Sequence, residues 1–274
     1  MKRRWVLVAF AMLAVVWASV GVIHAITNGV PDRDNHPYVG FLLFYAPDAE
    51  GNIVPQWTCS GSLIAPKVVL TAGHCTDGAT KAQVWFASDI FQTGFPTGGV
   101  ESAAIHTHPD FSWDWQGALG WNAVDSGIVI LQDEVTDKGY AVLPEVGQVD
   151  RLRMKADVDI VGYGGQFKLK ISGPPYGRWV ANGMRYYAPS QIVASENRNS
   201  DMWLRLTANP GQGKGGTCFG DSGGPDLLGG TKIILATVSF GTNTNCAGVD
   251  YSNRVDRAIV LDWVNDCVAN LICQ

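Results

Sequence analysis

The sequence predicts an all-β protein, and three observations carry that reading. Short runs rich in β-branched and aromatic residues recur between Gly, Pro, Asn and Asp punctuation. Examples are Tyr38–Tyr45, Lys67–Ala72, Gln83–Phe86, Gly127–Leu131, Val158–Tyr163, Gln191–Ala194, Trp203–Leu206 and Ile233–Phe240. Glycine is abundant, 32 of 274 residues, where about 7% is usual. Only 16% of residues are charged and 46% are hydrophobic, enough for a substantial core. Many short strands joined by turns point to antiparallel sandwiches or barrels, in one large domain or two smaller ones. The same composition excludes a disordered tail, a coiled coil and a nucleic-acid binder working through a basic face.

From the amino terminus, Lys2, Arg3 and Arg4 precede an uncharged run from Trp5 to Ile23, and Ala25 offers a small-residue cleavage site. Residues 1–25 therefore read as a cleaved secretory signal, with an uncleaved membrane anchor as the rival. Cleavage near Ala18, leaving Ser19 to Ala25 as a short propeptide, is the other alternative. Removing residues 1–25 takes away three of 20 basic residues and none of 25 acidic ones, leaving 249 residues with a net charge of −8. Such a surface favours neither nucleic acid nor anionic membranes. The stretch Gln132–Lys155 alternates charges, Gly and Pro, and reads as a connector between two β units. One helix is expected, at the end of the chain, where Ile259, Trp263 and Cys267 recur at helical spacing and Val260, Val264 and Val268 repeat it.

Six cysteines, at 59, 75, 218, 246, 267 and 273, contain no Cys-x-x-Cys pair, which argues against a zinc ribbon or a thioredoxin-like site. Behind an export signal they read as three disulfides, whose pairing composition leaves open. Cys267 and Cys273 can pair only if the helix stops between them. Six helical residues rise about 9 Å, whereas bridged Cα atoms lie within about 7 Å. Asn270 is a suitable stop.

The strongest local signal is Gly220-Asp221-Ser222-Gly223-Gly224-Pro225. A serine hydroxyl needs a base to become a nucleophile, and flanking glycines let backbone N–H groups point at a developing oxyanion. The string also fits the Gly-x-Ser-x-Gly elbow of α/β-hydrolases, but those need a histidine after the serine, and the last one here is His108. The base must come from His36, His74, His106 or His108. His74 follows an apolar strand and adjoins a cysteine, so it leads. His106 and His108 give only weak support for a metal. The third member should be a buried carboxylate that fixes the imidazole tautomer. Asp125 opens an apolar strand, with Asp110 and Asp114 as rivals.

Thr71-Ala72-Gly73-His74-Cys75, the Asp125 strand and Gly220–Pro225, in that order, resemble the chymotrypsin/trypsin-type serine endopeptidases (peptidase family S1). Ile26-Thr27-Asn28-Gly29 is similar to that family's mature amino terminus, and Val238-Ser239-Phe240-Gly241 to its substrate-binding strand. The resemblance implies two six-stranded antiparallel β-barrels with a C-terminal helix and an active site in the cleft between them. It divides residues 26–274 into barrels of about 26–138 and 139–257 and a helix of about 258–269. It implies Ser222 as nucleophile, His74 as base and Asp125 as its partner. The Gly220 and Ser222 N–H groups would form the oxyanion hole, and Asp221 would receive the Ile26 ammonium. It also selects the disulfides Cys59–Cys75 and Cys218–Cys246.

The specificity pocket departs from the trypsin pattern. Its floor would be Gly216 where trypsin-like members carry aspartate, beside Thr217, Ser239 and Phe240, with Gly241 at an open entrance and Asp250 on the opposite wall. Ser126 stands where the family usually has an apolar residue. The expected function is a secreted, monomeric endopeptidase without metal or cofactor, acting on proteins or peptides and open to protein inhibitors. The alternative is an inactive homologue that binds a partner through the same scaffold.

Overall fold

The computed structural model describes residues 26–113, 124–165, 167–169, 178–194 and 200–273. The expected signal segment and the rival acid Asp114 lie outside these residues.

A two-residue strand β1 (Val30–Pro31) precedes a six-stranded closed barrel. The barrel is built from β2 (Val39–Pro47), β3 (Ile53–Ala65), β4 (Val68–Thr71), β5 (Lys81–Trp85), β6 (Val100–Thr107) and β7 (Gly127–Leu131). The strands close antiparallel in the order β2-β3-β4-β7-β6-β5, with β5 returning to β2. β4 and β7 are buried along their whole lengths, which is why both read in sequence as unbroken apolar runs. Residues 132–156 contain no named strand and lie between β7 and the strand that follows.

The second barrel uses β8 (Asp157–Gly162) and, after a small β9 (Phe167–Leu169) and β10 (Arg178–Val180) pair, β11 (Tyr186–Ala194), β12 (Trp203–Ala208), β13 (Pro225–Leu228), β14 (Ile234–Gly241) and β15 (Gly248–Arg254). Its order is β11-β12-β15-β14-β13-β8, and pairing of β8 with β11 closes it. Two closed six-stranded barrels result, so among the described residues their strands leave no long sheet edge open.

Residues 26–31, expected with the first barrel, lie against the second. β1 adds to β11, and Thr27 bridges Gly216 with N–H···O distances of 2.9 and 3.1 Å. Ile26 is fully buried in the second core among Ile160, Ala188 and Leu204. Arg185 fixes the segment that follows. Its buried guanidinium donates to Asp32 at 2.7 Å, to the Val39 and Phe86 carbonyls at 2.9 and 3.0 Å, and to Asp34 at 3.0 Å. His36 pairs with the other oxygen of Asp32.

The chain first makes one helical turn, α1 (Gly73–Thr76), and ends on α2 (Ala258–Asn270). The buried face of α2 is Val260, Leu261, Trp263, Val264 and Cys267, while Ile259 is exposed although its spacing placed it with Trp263. The stripe is centred one residue later because the helix docks on the first barrel. There His108 donates to the Ile259 carbonyl at 3.2 Å and meets the Trp263 ring edge-on. After Asn270, Leu271 turns left-handed (φ +55°), and Cys273 comes back to Cys267 with Cα atoms 4.4 Å apart.

Candidate active site

β4 pairs antiparallel with β7, Thr71 opposite Gly127, so the end of one strand lies beside the start of the other. That register sets Asp125, just before β7, against the turn that follows β4. His74 sits in this turn, and the Cys59–Cys75 disulfide ties it to β3. The His74 backbone N–H donates to Asp125 Oδ1 at 2.8 Å, and its Nδ1–H donates to Oδ2 at 2.9 Å. Ser239, expected only as a substrate contact, donates its hydroxyl to the same Oδ2. Burial raises the Asp125 pKa, but the His74 charge and these hydrogen bonds outweigh it and hold the carboxyl below its ordinary range. Burial lowers the His74 pKa, and the Asp125 charge and hydrogen bond more than offset it, so the imidazole stays above its ordinary value. With Nδ1–H committed to Asp125, Nε2 is left as the basic nitrogen.

Ser222 comes from the loop before β13. Gly220 has φ +99° and Gly223 φ +76°, conformations that favour glycine. A Cβ on Gly223 would also lie 2.0 Å from Thr71 Oγ1 and 2.6 Å from the Ser60 carbonyl. The loop therefore packs directly on the first barrel, and the Ser60 N–H donates to the Ser222 carbonyl at 2.8 Å. His74 and Ser222 both line two adjoining cavities, which meet at these side chains.

The Phe219 carbonyl accepts from the Gly165 N–H at 2.8 Å. A trans peptide points its C=O and N–H oppositely, so anchoring that carbonyl turns the Gly220 N–H to the other side. Among the described residues neither the Gly220 nor the Ser222 N–H has an acceptor. Asp221, between them, is buried and accepts from the Gly164 and Cys218 N–H groups, each at 2.8 Å. Burial pushes its pKa up to about 7, against those bonds, and no cation among the described residues pairs with it.

One cavity, about 260 Å³, is lined by Thr217, Ser239, Phe240, Gly241 and Asp250 beside the catalytic candidates. Phe240 stacks on Tyr251 at 4.9 Å, giving a flat apolar wall. The Thr217 N–H donates to Asp250 Oδ2 at 2.6 Å. Gly216, expected as the floor, does not line the cavity, because its backbone is engaged by Thr27 and it has no side chain to project. The second cavity, about 640 Å³, includes Trp57, Trp113, Trp179 and Phe219, aromatics that spread over separate loops and that sequence reasoning did not connect with the site.

The remaining candidates separate cleanly. His36 pairs with Asp32, and His108 serves α2. The Asp110 N–H donates to His108 Nδ1 at 3.1 Å, whereas the His74 ring is held by Asp125. Ser126 is buried and donates to Asn253 of β15 at 3.3 Å, a polar contact between the barrels. Cys59 and Cys75, whose sulfurs approach His74, are bonded to each other and offer no thiolate to a metal. Cys218 pairs with Cys246, as the resemblance implies.

Two barrels with this serine, histidine and aspartate between them define a chymotrypsin-like fold. The trypsin family model matches residues 26–264, and the chain belongs to that family. It is similar to serine protease 1 of Drosophila melanogaster, 28% identical over 88% of this chain and 84% of the relative. It is also similar to collagenase of Hypoderma lineatum, 29% identical over 75% of this chain and 74% of the relative. Bovine (Bos taurus) chymotrypsin-C is 25% identical over 76% of this chain and 77% of its own. The solved structure of HL collagenase superimposes with a TM-score of 0.66 at 20% identity, covering 86% of this chain and 95% of that one. Human heparin binding protein shares the fold at a TM-score of 0.64 and 16% identity, over 88% and 96% of the two chains.

Proposed function

We propose that the protein is a secreted serine endopeptidase. Ser222 Oγ attacks the scissile carbonyl while His74 Nε2 takes its proton. Collapse of the tetrahedral adduct breaks the C–N bond, and His74 returns the proton to the leaving amine. Water, deprotonated by His74, then releases the acyl group and restores Ser222. Asp125 remains ionised and holds the imidazolium in place. The Gly220 and Ser222 N–H groups receive the oxyanion, each worth on the order of 3–4 kcal/mol in the transition state. The observation that carries this reading is the doubly bonded His74–Asp125 pair beside a serine whose loop leaves two N–H groups without acceptors.

Substrates are proteins or peptides, with protein inhibitors fitting the same cleft. With Asp250 and Phe240 both lining the pocket, it suits both basic and large apolar side chains. Signal cleavage after Ala25 would free the Ile26 ammonium to pair with Asp221.

Ser222→Ala should abolish peptide hydrolysis in a folded, secreted protein, leaving only about 10³–10⁴-fold acceleration over water. A fluorophosphonate should label the wild type at Ser222 and leave the variant unlabelled. Wild-type protein that resists labelling and cleaves nothing would instead be an inactive, partner-binding homologue.

A further inference from the structure

Behind the pocket wall, inside the second barrel, lies a carboxylate that the proposed chemistry does not use. Asp226 of β13 is fully buried, and neither of its oxygens has a hydrogen-bond partner. A buried acid without a partner is costly, so its persistence in an apolar barrel calls for a physical account.

Strand register gives its surroundings. Asp226 lies opposite Ala236 of β14, Val238 lies opposite Ser252 of β15, and Asp250 is two residues before Ser252. Side chains opposite one another, or two apart on one strand, share a face. Asp226, Ala236, Val238, Ser252 and Asp250 therefore face the same interior. The Ser252 hydroxyl is likewise buried and unpartnered; it eases the Asp226 charge without reaching hydrogen-bond geometry.

Among the described residues the neighbouring groups supply no counter-ion to Asp226. From β8 the facing residue is Ile160, and β14 presents only Ala236 and Val238. From β15 come Asp250, Ser252 and Arg254, but Arg254 is already held by Asp256 at 2.8 Å and Asp150 at 2.7 Å. From the serine loop comes Asp221, a further acid, reserved for the Ile26 ammonium in the reading above. Burial, with Asp250 and Asp221 adding to it, pushes Asp226 up to about 8, while Asp250, bound by the Thr217 N–H, is raised by burial to about 6. Two such carboxylates titrate in separate steps as a coupled pair.

We propose that Asp226 is a specificity-determining residue that acts through Asp250: it holds a proton while Asp250 alone is ionised, and on losing it adds a second negative charge behind the pocket. Selection between apolar and basic substrate side chains is then set by pH. This rests on the serine endopeptidase reading, with the cavity beside Ser222 as the primary specificity pocket.

The test compares kcat/KM for two peptides differing only in Lys or Met before the scissile bond, between pH 5 and 9. Their ratio cancels Ser222, His74 and the Ile26–Asp221 pair, which both substrates use alike. In the wild type the Lys/Met ratio should climb in two steps, the upper one on the order of tenfold for a second, partly screened negative charge. Asp226→Asn should abolish the upper step and keep the lower, and Asp250→Asn should abolish the lower. A wild-type ratio flat above pH 7, or an upper step surviving Asp226→Asn, overturns the proposal.

Calorimetry of butylammonium binding, in buffers of different ionisation enthalpy, tests the same point without turnover. Proton release on binding to the wild type between pH 6.5 and 8 that Asp226→Asn abolishes supports Asp226; binding without release, release unchanged in the variant, or no binding overturns it. Hydrolysis of neither peptide, with proton release intact, would refute the endopeptidase reading and leave the buried pair standing.

Discussion

His74 donates to Asp125 twice, through its backbone N–H at 2.8 Å and its Nδ1–H at 2.9 Å. One carboxylate thus fixes both the position of the residue and the tautomer of its ring. Asp125→Asn should preserve the first bond but present an amide N–H toward Nδ1 in one orientation, favouring the wrong tautomer. The expected outcome is a fall in kcat of about 10⁴-fold with KM little changed. Steady-state kinetics on a peptide amide check it.

The acid limb of activity should report the raised pKa of His74. Activity requires neutral imidazole, and the ionised Asp125 favours the charged form, so kcat/KM should fall as pH drops through a midpoint above 6.5. Ser239→Ala removes a bond to Asp125 Oδ2 while leaving the two His74 bonds. It should lower kcat by about tenfold, one charge-assisted hydrogen bond. Complete pH profiles of both enzymes provide the measurement, and an acid limb well below 6.5 contradicts this arrangement.

Release of Ile26 should change stability as well as activity. The Asp221 pKa is raised in the fold, so the protonated acid is favoured and stability is lost as pH rises from about 4 toward 7. An ammonium at Asp221 removes that loss. A Ser222→Ala protein beginning at Ile26 should therefore gain Tm relative to its uncleaved counterpart at pH 8 and much less at pH 4. Amino-terminal sequencing of secreted protein should give Ile26 first, whereas a start at Ser19 with delayed activity refutes direct activation.

The clamp on the amino-terminal segment predicts a separate effect. Burial raises the Asp32 pKa, but the His36 hydrogen bond and the Arg185 charge hold it below the ordinary range. Its contribution is present above about pH 4 and is lost as pH falls through the depressed value. Arg185→Met leaves Asp32 buried without its cation and should cost about 3–5 kcal/mol by denaturant unfolding. Adding Asp32→Leu should recover much of that, since the paired loss leaves no buried charge.

The sequence by itself determined the β class, the order histidine–aspartate–serine and the apolar strands that carry them. β4 and β7 were legible because their side chains are apolar on both faces, and β14 because it is nearly so. β3, β13 and β15 were not recognised. Their Ser60, Ser62, Asp226, Asp250, Ser252 and Asn253 are polar, yet all are buried. A local pattern assigns such residues to loops, because burial of a polar side chain depends on partners distant in sequence. The same physics explains Gly216. Counting from Ser222 places it at the pocket floor, but the docking of Thr27 covers its backbone, and Asp250 lines the cavity instead. Ser239 reached Asp125, and Asp226 came to face Asp250, through strand register, which sets long-range neighbours by pairing across the sheet. Chemistry was written in short motifs, while the charge around it was set by the closing of the barrels.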